Sequence, residues 1–333
     1  MPEVAVESNA PKKAVSPWQA NLRRLLQHKL AVAAGILFVI LVGLCLAAPL
    51  WADYIAHTSP NQTHLTETIE LDGKQVDVVS PQGVPIGPTW EGRFFLGADP
   101  IGRDIMVRLL YGGRNSLFIG VLATLITVLL GGGLGILAGY MRGFTDGVLS
   151  RLFDLIWAFP AILLGVALGV SLALGGLKIG PIEIEGGSLA IPILVIAIVY
   201  IPYIGRPIRG QVLSLREKEF VEAAQVQGTS SWRIMFSEIV PNLFSILLVM
   251  GTLLIANAIL LEASLSFLGA GVQPPDTSWG TMIQEGIQRI TTSPHLTIFP
   301  GLMLVLTVLS LNVFGDAVRE VLDPHAAIGQ ERH

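Results

Sequence analysis

Six stretches of this chain run for about 20 residues or more without a single Asp, Glu, Lys or Arg, and few folds can hide that much uncharged chain. They cover residues 30–52, 115–141, 155–177, 186–205, 239–261 and 290–315. About 20 apolar residues in a helix cross the ~30 Å hydrocarbon core of a bilayer. Lipid offers no hydrogen-bond partners, so a spanning segment has to satisfy its backbone internally. Each stretch is therefore predicted to be a membrane-spanning helix. Interior glycines and prolines, such as Gly131, Pro160 and Pro192, are compatible with that setting. Composition agrees, because only 14% of the 333 residues are charged, against about 25% in soluble domains. The single cysteine, Cys45, lies in the first stretch and is expected to be a buried thiol.

Six spans put both termini on one side, and the basic residues choose it. Fourteen of the 21 lysines and arginines fall on the side of the termini, including Lys12, Lys13, Arg23, Arg24, Arg142, Arg206 and Arg209. Five of the other seven sit in the long loop 53–114, which weighs little in the positive-inside rule. The tails 1–29 and 319–333 are thus expected to be cytoplasmic. The polar N-terminal stretch is not expected to be a cleavable signal, since the apolar run after it is too long. The core, 115–318, holds spans two to six.

The long outer loop carries a hairpin signal, in which alternating residues 68–71 and 74–79 flank Asp72–Gly73. It is too small for a sizeable core and is expected to cap the outer face. A second alternating piece, 182–185, lies in the short outer loop 175–187. Pro274 and Pro275 should stop any helix and fold the chain back at the outer surface.

On the cytoplasmic side one polar insert stands out, residues 214–242. Ser214 with Glu217 predicts a capping box and a helix start, within a helical segment 214–235. Gly228 should end that helix, and Thr229 or Ser230 should cap a second one. Phe220, Ala223, Ala224 and Gln227 fall on one face at helical spacing. A short amphipathic helix between two spans either lies on the membrane or docks into a soluble partner.

Signals for chemistry are missing. The sequence has no Gly-rich loop ending in Lys-Ser or Lys-Thr, no His-Glu-x-x-His and no cysteine pair. Its six histidines are scattered and expected to be solvated or interfacial. Asp154, Glu238, Glu262 and Asp316 stand at span ends, where they suit interface anchoring or a helix-end contact, the functional alternative being a contact within a complex or a pathway. Asn257 and Asn312 are mid-span and suit interhelical hydrogen bonds. The halves lack the matched broken spans of inverted-repeat secondary transporters.

The insert contains Glu222-Ala223-Ala224-x-x-x-Gly228 with Pro241 further on, and it resembles the EAA loop of ATP-binding-cassette importer permeases. Val240 and Glu238 depart mildly from the usual Ile-x-Leu-Pro ending. The segment Asp99, Gly102, Arg103, Asp104, Arg108, Gly112, Arg114, Ser116 is similar to the start of the second span in C-type permeases of dipeptide, oligopeptide and nickel importers. Asp154 with Pro160, the run Glu262, Ser266, Phe267, Gly269, and Trp279-Gly280 fit the same subfamily. The likeness runs from about 21 to 324, with an apparent insertion at 65–88.

That resemblance implies an all-α type I importer permease fold with a cytoplasmic coupling helix. It implies a second homologous permease, two cytoplasmic ATPase subunits and an extracytoplasmic binding protein as partners. ATP and Mg would bind the ATPases, with no cofactor in this chain. It assigns ATPase coupling to Glu219, Phe220, Glu222, Ala223, Ala224, Gly228, Thr229 and Pro241. Membrane lipid surrounds such a protein, and nucleic acid is not among its expected partners. Peptides are the expected cargo, with nickel or another small solute as the alternative. Nickel favours imidazole ligands, and the uncharged runs hold one histidine, His295.

Overall fold

The computed structural model describes residues 23–71 and 73–322. The tail residues Lys12, Lys13 and 323–333, and Asp72 of the hairpin turn, lie outside the described residues. The first span is α1, Lys29–Leu46. A short turn, Ala48–Trp51, and a π-helical turn, Ala52–Ala56, carry it onward.

The second span, α2, is Ile105–Met141, 37 residues long. At 1.5 Å per residue it measures about 55 Å, far more than a bilayer needs. Its start lies ahead of the uncharged run at 115, because Asp104 caps it by accepting from the Val107 N–H at 3.0 Å. The uncharged run begins only after Arg114, whereas the helix begins nine residues before it, at Ile105.

The third span is not a single rod. Its residues are divided between α3, Gly143–Trp157, and α4, Ala161–Gly175, bent against each other by 90°, the geometry of a broken span or a re-entrant pair. Pro160 stands at the break, where it lacks an N–H and disfavours a helical Phe159. The fourth span, α5, is Ala190–Leu215 and continues past Gly205 through Pro207 and two arginines. The stretch Glu219–Val226 forms α6. A turn, Ser231–Ile234, and a π-helical stretch, Met235–Ile239, lead into α7, Val240–Phe267. The short α8, Trp279–Ile287, precedes the last span, α9, His295–Leu322.

The most extensive packing in the bundle is between α2 and α5. Gly131, Gly135 and Gly139 recur every four residues on α2, against the carbonyls of Ile201, Gly205 and Arg209. A Cβ on Gly135 would lie 2.5 Å from the Gly205 oxygen. Small residues let membrane helices meet backbone to backbone. On its other side Gly205 accepts the ring of Phe153, which brings α3 into the same contact. Elsewhere α1 lies on α9, and α8 on α7 and α9.

The long loop is woven onto this bundle. Its hairpin pairs Thr68–Leu71 with Lys74–Asp77, Ile69 opposite Val76. Val78, Phe94 and Ala98 form a small core of their own. Residues 65–88 are therefore no loose flap: the Ile86 N–H donates to Val78, and Ala98 to Ile86. Arg289, beyond α8, donates to the Gly83 carbonyl at 2.7 Å. His64 is buried, contrary to the expectation of a solvated histidine, because it bridges Thr58 and Glu67. His295 is buried too, beside the Ala98 carbonyl.

Gly135→Val should destabilise the purified protein by about 1–3 kcal/mol, the usual cost of overpacking. Gly133→Ala is the control, since nothing lies within 4 Å of its added Cβ. Thermal unfolding in detergent measures both, and equal melting temperatures would refute backbone contact at Gly135.

Candidate functional site

At the α6 end of the bundle, α5 does not stop at Ser214. The expected capping box is not formed. Val212 is buried in the core there, which draws the helix on to Leu215. Glu217 pairs instead with Arg142 at 2.8 Å, and Arg216 donates to the Tyr140 carbonyl. The next helix starts at Glu219 after an extended Lys218.

The faces of α6 divide differently from the expected stripe. Val221 is fully buried, and Ala224 packs inward beside it with Tyr140, Ile208, Ile234 and Met235. Glu219, Phe220, Glu222 and Ala223 point outward. Gly228 ends the helix with φ +76°, a conformation that costs a side chain energy. The Thr229 N–H then donates to Ala224. Pro241 falls just after the π-helical stretch Met235–Ile239, at the start of α7. Trp232 and Phe236 were not singled out from the sequence. Their rings stack at 6.4 Å, and both are more than half exposed. Two aromatics four apart in a polar insert were the available signal.

Asp154 and Pro160 flank the break in the third span. Asp154 pairs with Arg206 of α5, whose guanidinium lies 4.3 Å from the Trp157 ring centre. Asp146 likewise takes Arg209, at 2.7 Å. The two pairs hold α3 along α5.

The remaining motif residues meet at the opposite end, where four segments converge. Arg103 and Arg108 both donate to Glu285 of α8, at 3.0 and 2.8 Å. Asp99 takes the Arg103 guanidinium and its backbone N–H. Arg108 is 2% exposed, so its charge depends on these carboxylates. Asp104 accepts from the Phe94 N–H at 2.6 Å besides capping α2. Burial pushes its carboxyl above the ordinary range, against the pull of those N–H donors. Gly102 abuts the backbone of His64, and Gly112 that of Ser278.

Ser278 caps α8 in a capping box with Thr281. The Trp279 N–H donates to Ser116, and its indole N–H to the Leu109 carbonyl at 3.1 Å. Gly280 lies on the backbone of Ala263. Glu262 is not at an exposed interface: it is fully buried and takes the Ser266 hydroxyl at 2.6 Å. Ser266 in turn accepts the Val272 N–H. Phe267 remains 40% exposed, and Gly269 closes α7. Among the described residues no three His, Cys, Asp or Glu side chains converge as metal ligands would.

Glu285→Ala leaves buried Arg108 with the Thr277 hydroxyl at 3.4 Å and Asp99 at 3.9 Å, and no close carboxylate. It should cost about 1.5–3 kcal/mol, as for a lost hydrogen bond to a charged group. Glu183→Ala, from the exposed Lys178 pair, should leave unfolding unchanged. Denaturant unfolding of the two variants checks this, and equal stabilities would dismiss the cluster as a clamp.

The comparisons with known proteins agree with one another. Residues 131–328 match the family described as binding-protein-dependent transport system inner membrane component. Residues 16–70 match the N-terminal TM domain of oligopeptide transport permease C. A dipeptide transport system permease protein DppC of Alkalihalophilus pseudofirmus is 36% identical over 97% of this chain and 96% of its own length. A glutathione transport system permease protein GsiD of Pectobacterium atrosepticum is 34% identical over 94% and 93%. An oligopeptide transport system permease protein OppC of Bacillus subtilis is 33% identical over 94% and 91%. Among solved structures, an inward-facing MetNI methionine ABC transporter chain aligns with TM-score 0.52 at 19% identity, over 65% of this chain and 97% of that one. That likeness is one of fold, the type I importer permease fold. With the profile covering more than half the chain and relatives matched along nearly their whole length, this chain belongs to the family of inner membrane permease components of binding-protein-dependent transport systems.

Proposed function

We propose that this chain forms half of the translocation path of an ATP-driven importer of di- and oligopeptides. It sits in the cell membrane of a prokaryote with both tails in the cytoplasm. A second homologous permease supplies the other half, two cytoplasmic ATPase subunits bind ATP and Mg, and an extracytoplasmic binding protein delivers cargo. The chain itself catalyses nothing and holds no cofactor.

The single observation that carries this reading is the construction of α6. Its outer face presents Glu219, Phe220, Glu222 and Ala223, while Val221 and Ala224 fix its inner face to α2, α5 and the start of α7. An ATPase groove that grips the outer face and moves would displace the core beneath it. Because α2 and α5 touch through backbone, they move as one body. The α2 helix is unbroken and carries Arg108 at its far end, so displacement at α6 reaches the Arg108–Glu285 contact. Packed interfaces of this kind switch between discrete arrangements rather than deforming smoothly.

Peptide cargo is the reading the named relatives favour, since dipeptide, oligopeptide and glutathione systems are among them. The measurement is uptake of labelled di- to pentapeptides in a deletion strain carrying the chain, with nickel uptake alongside. Nickel uptake lost while peptide uptake persists would overturn the cargo.

Coupling is tested separately. Gly228→Val strains a left-handed residue that nothing crowds, so the fold has room to survive it. Glu222→Lys reverses a surface charge, where stability changes by about 0.5 kcal/mol or less. Both should keep normal membrane levels while uptake falls about tenfold or more, the size of a lost interface hot spot. Normal uptake in both variants at wild-type levels would rule out coupling through α6.

A further inference from the structure

A groove of about 580 Å³ lies between α1 and α2, at the end of the bundle that carries the long loop. Phe38, Val42 and Leu46 of α1 line one wall, and Phe118 and Val121 of α2 the other. Arg114 stands at its mouth. On α2, Arg114, Phe118 and Val121 follow at helical spacing and share one face. The two helices run in opposite directions, α1 towards the loop and α2 away from it, so Leu46 and Arg114 mark the same end. From Arg114 to Val121 the groove descends about 10 Å, and from Leu46 to Phe38 about 12 Å. That is most of one leaflet, half of a ~30 Å hydrocarbon core.

The charge at the mouth has no partner of its own. Among the described residues no carboxylate lies within 4.0 Å of the Arg114 guanidinium, which rests instead 5.4 Å from the Tyr111 ring centre. Neighbouring Asn115 is already engaged, donating to the Thr277 carbonyl at 2.8 Å. Arg114 also adjoins the uncharged run 115–141, which sets it at the level where hydrocarbon gives way to headgroups. An exposed guanidinium suits a phosphate bidentately, and the aromatic beside it suits the interface. Beside it Leu46 is 66% exposed, and below it Phe118 and Val121 are 55% and 48% exposed, an uncovered apolar surface leading inward from a single cation.

We propose that this groove is a binding site for an anionic phospholipid of the leaflet on the side of the long loop. Arg114 holds the phosphate, and one acyl chain lies between α1 and α2. The assignment uses only the loop side of the bundle, so it stands independently of the membrane orientation and of the cargo proposed above.

The test uses the full-length chain, purified from membranes in mild detergent with its co-purifying subunits. Native mass spectrometry reads retained phosphatidylglycerol against added phosphatidylcholine, with inorganic phosphate as the free-anion control. Wild type should retain phosphatidylglycerol preferentially, and inorganic phosphate should not displace it. Arg114→Gln should weaken retention about tenfold, the loss of one charge-assisted contact. Val121→Trp, at an exposed position, fills the groove and should expel the lipid although Arg114 remains. Equal retention by both variants and wild type would overturn the site. So would a photo-crosslinker at Phe118 that captures a protein chain and no phosphatidylglycerol, because the groove would then be a subunit contact.

Discussion

Along Gly131, Gly135 and Gly139 the backbone of α2 lies against the carbonyls of Ile201, Gly205 and Arg209 on α5, flanked by the Cβ atoms of Ile204, Ile208 and Val212. Much of the remaining architecture follows from this contact. In a bilayer, lipid tails are as apolar as leucine, so helices gain little by hiding apolar surface from one another. Close packing has to supply the attraction, and it grows as atoms approach. The same contact takes in Phe153 through Gly205, which fixes α3 beside α5 before the chain turns at Pro160. The ion pairs of Asp146 and Asp154 then orient a helix that packing has already brought near.

The two ends of the bundle are built by different means. At the α6 end, an apolar cluster of Tyr140, Ile208, Val221, Ile234 and Met235 binds a short helix that could not hold its shape alone. At the loop end, hydrogen bonds and charges take over. Arg103, Arg108 and Glu285 join α2 to α8, while Ser116, Ser278 and Trp279 join the same helices through backbone donors. The first joint rests on apolar packing, whereas the second rests on a buried Arg108 held by a partly exposed Glu285. The long rod of α2 connects the two.

Several sequence expectations failed for identifiable reasons. Ser214 and Glu217 have the spacing of a capping box, yet Glu217 pairs with Arg142, 75 residues away in the chain, and α5 runs on. Local pattern cannot register a partner that only the fold brings close. Glu262 looked like an interface anchor because it ends an uncharged run. It is buried because α7 continues to Phe267, under Ser266 and the 270–280 turn. His64 looked solvated because its neighbours are polar, but Thr58 and Glu67 close over it.

What the sequence determined by itself was the class of fold, the hairpin at 68–77 and the Gly228 turn. These rest on properties a residue carries anywhere: the absence of charge over about 20 positions, the alternation of a strand, and the freedom of glycine. The family resemblance was also legible, because its motifs are contiguous. Tertiary structure alone decided where several helices end, since α5 runs past Ser214 on its buried Val212 and α7 runs past Glu262 to Phe267. It alone divided α6 into a held face and a free face, and it alone turned the third span through 90°. Those outcomes depend on which distant groups meet, and hydrophobicity and spacing along a chain carry no record of that.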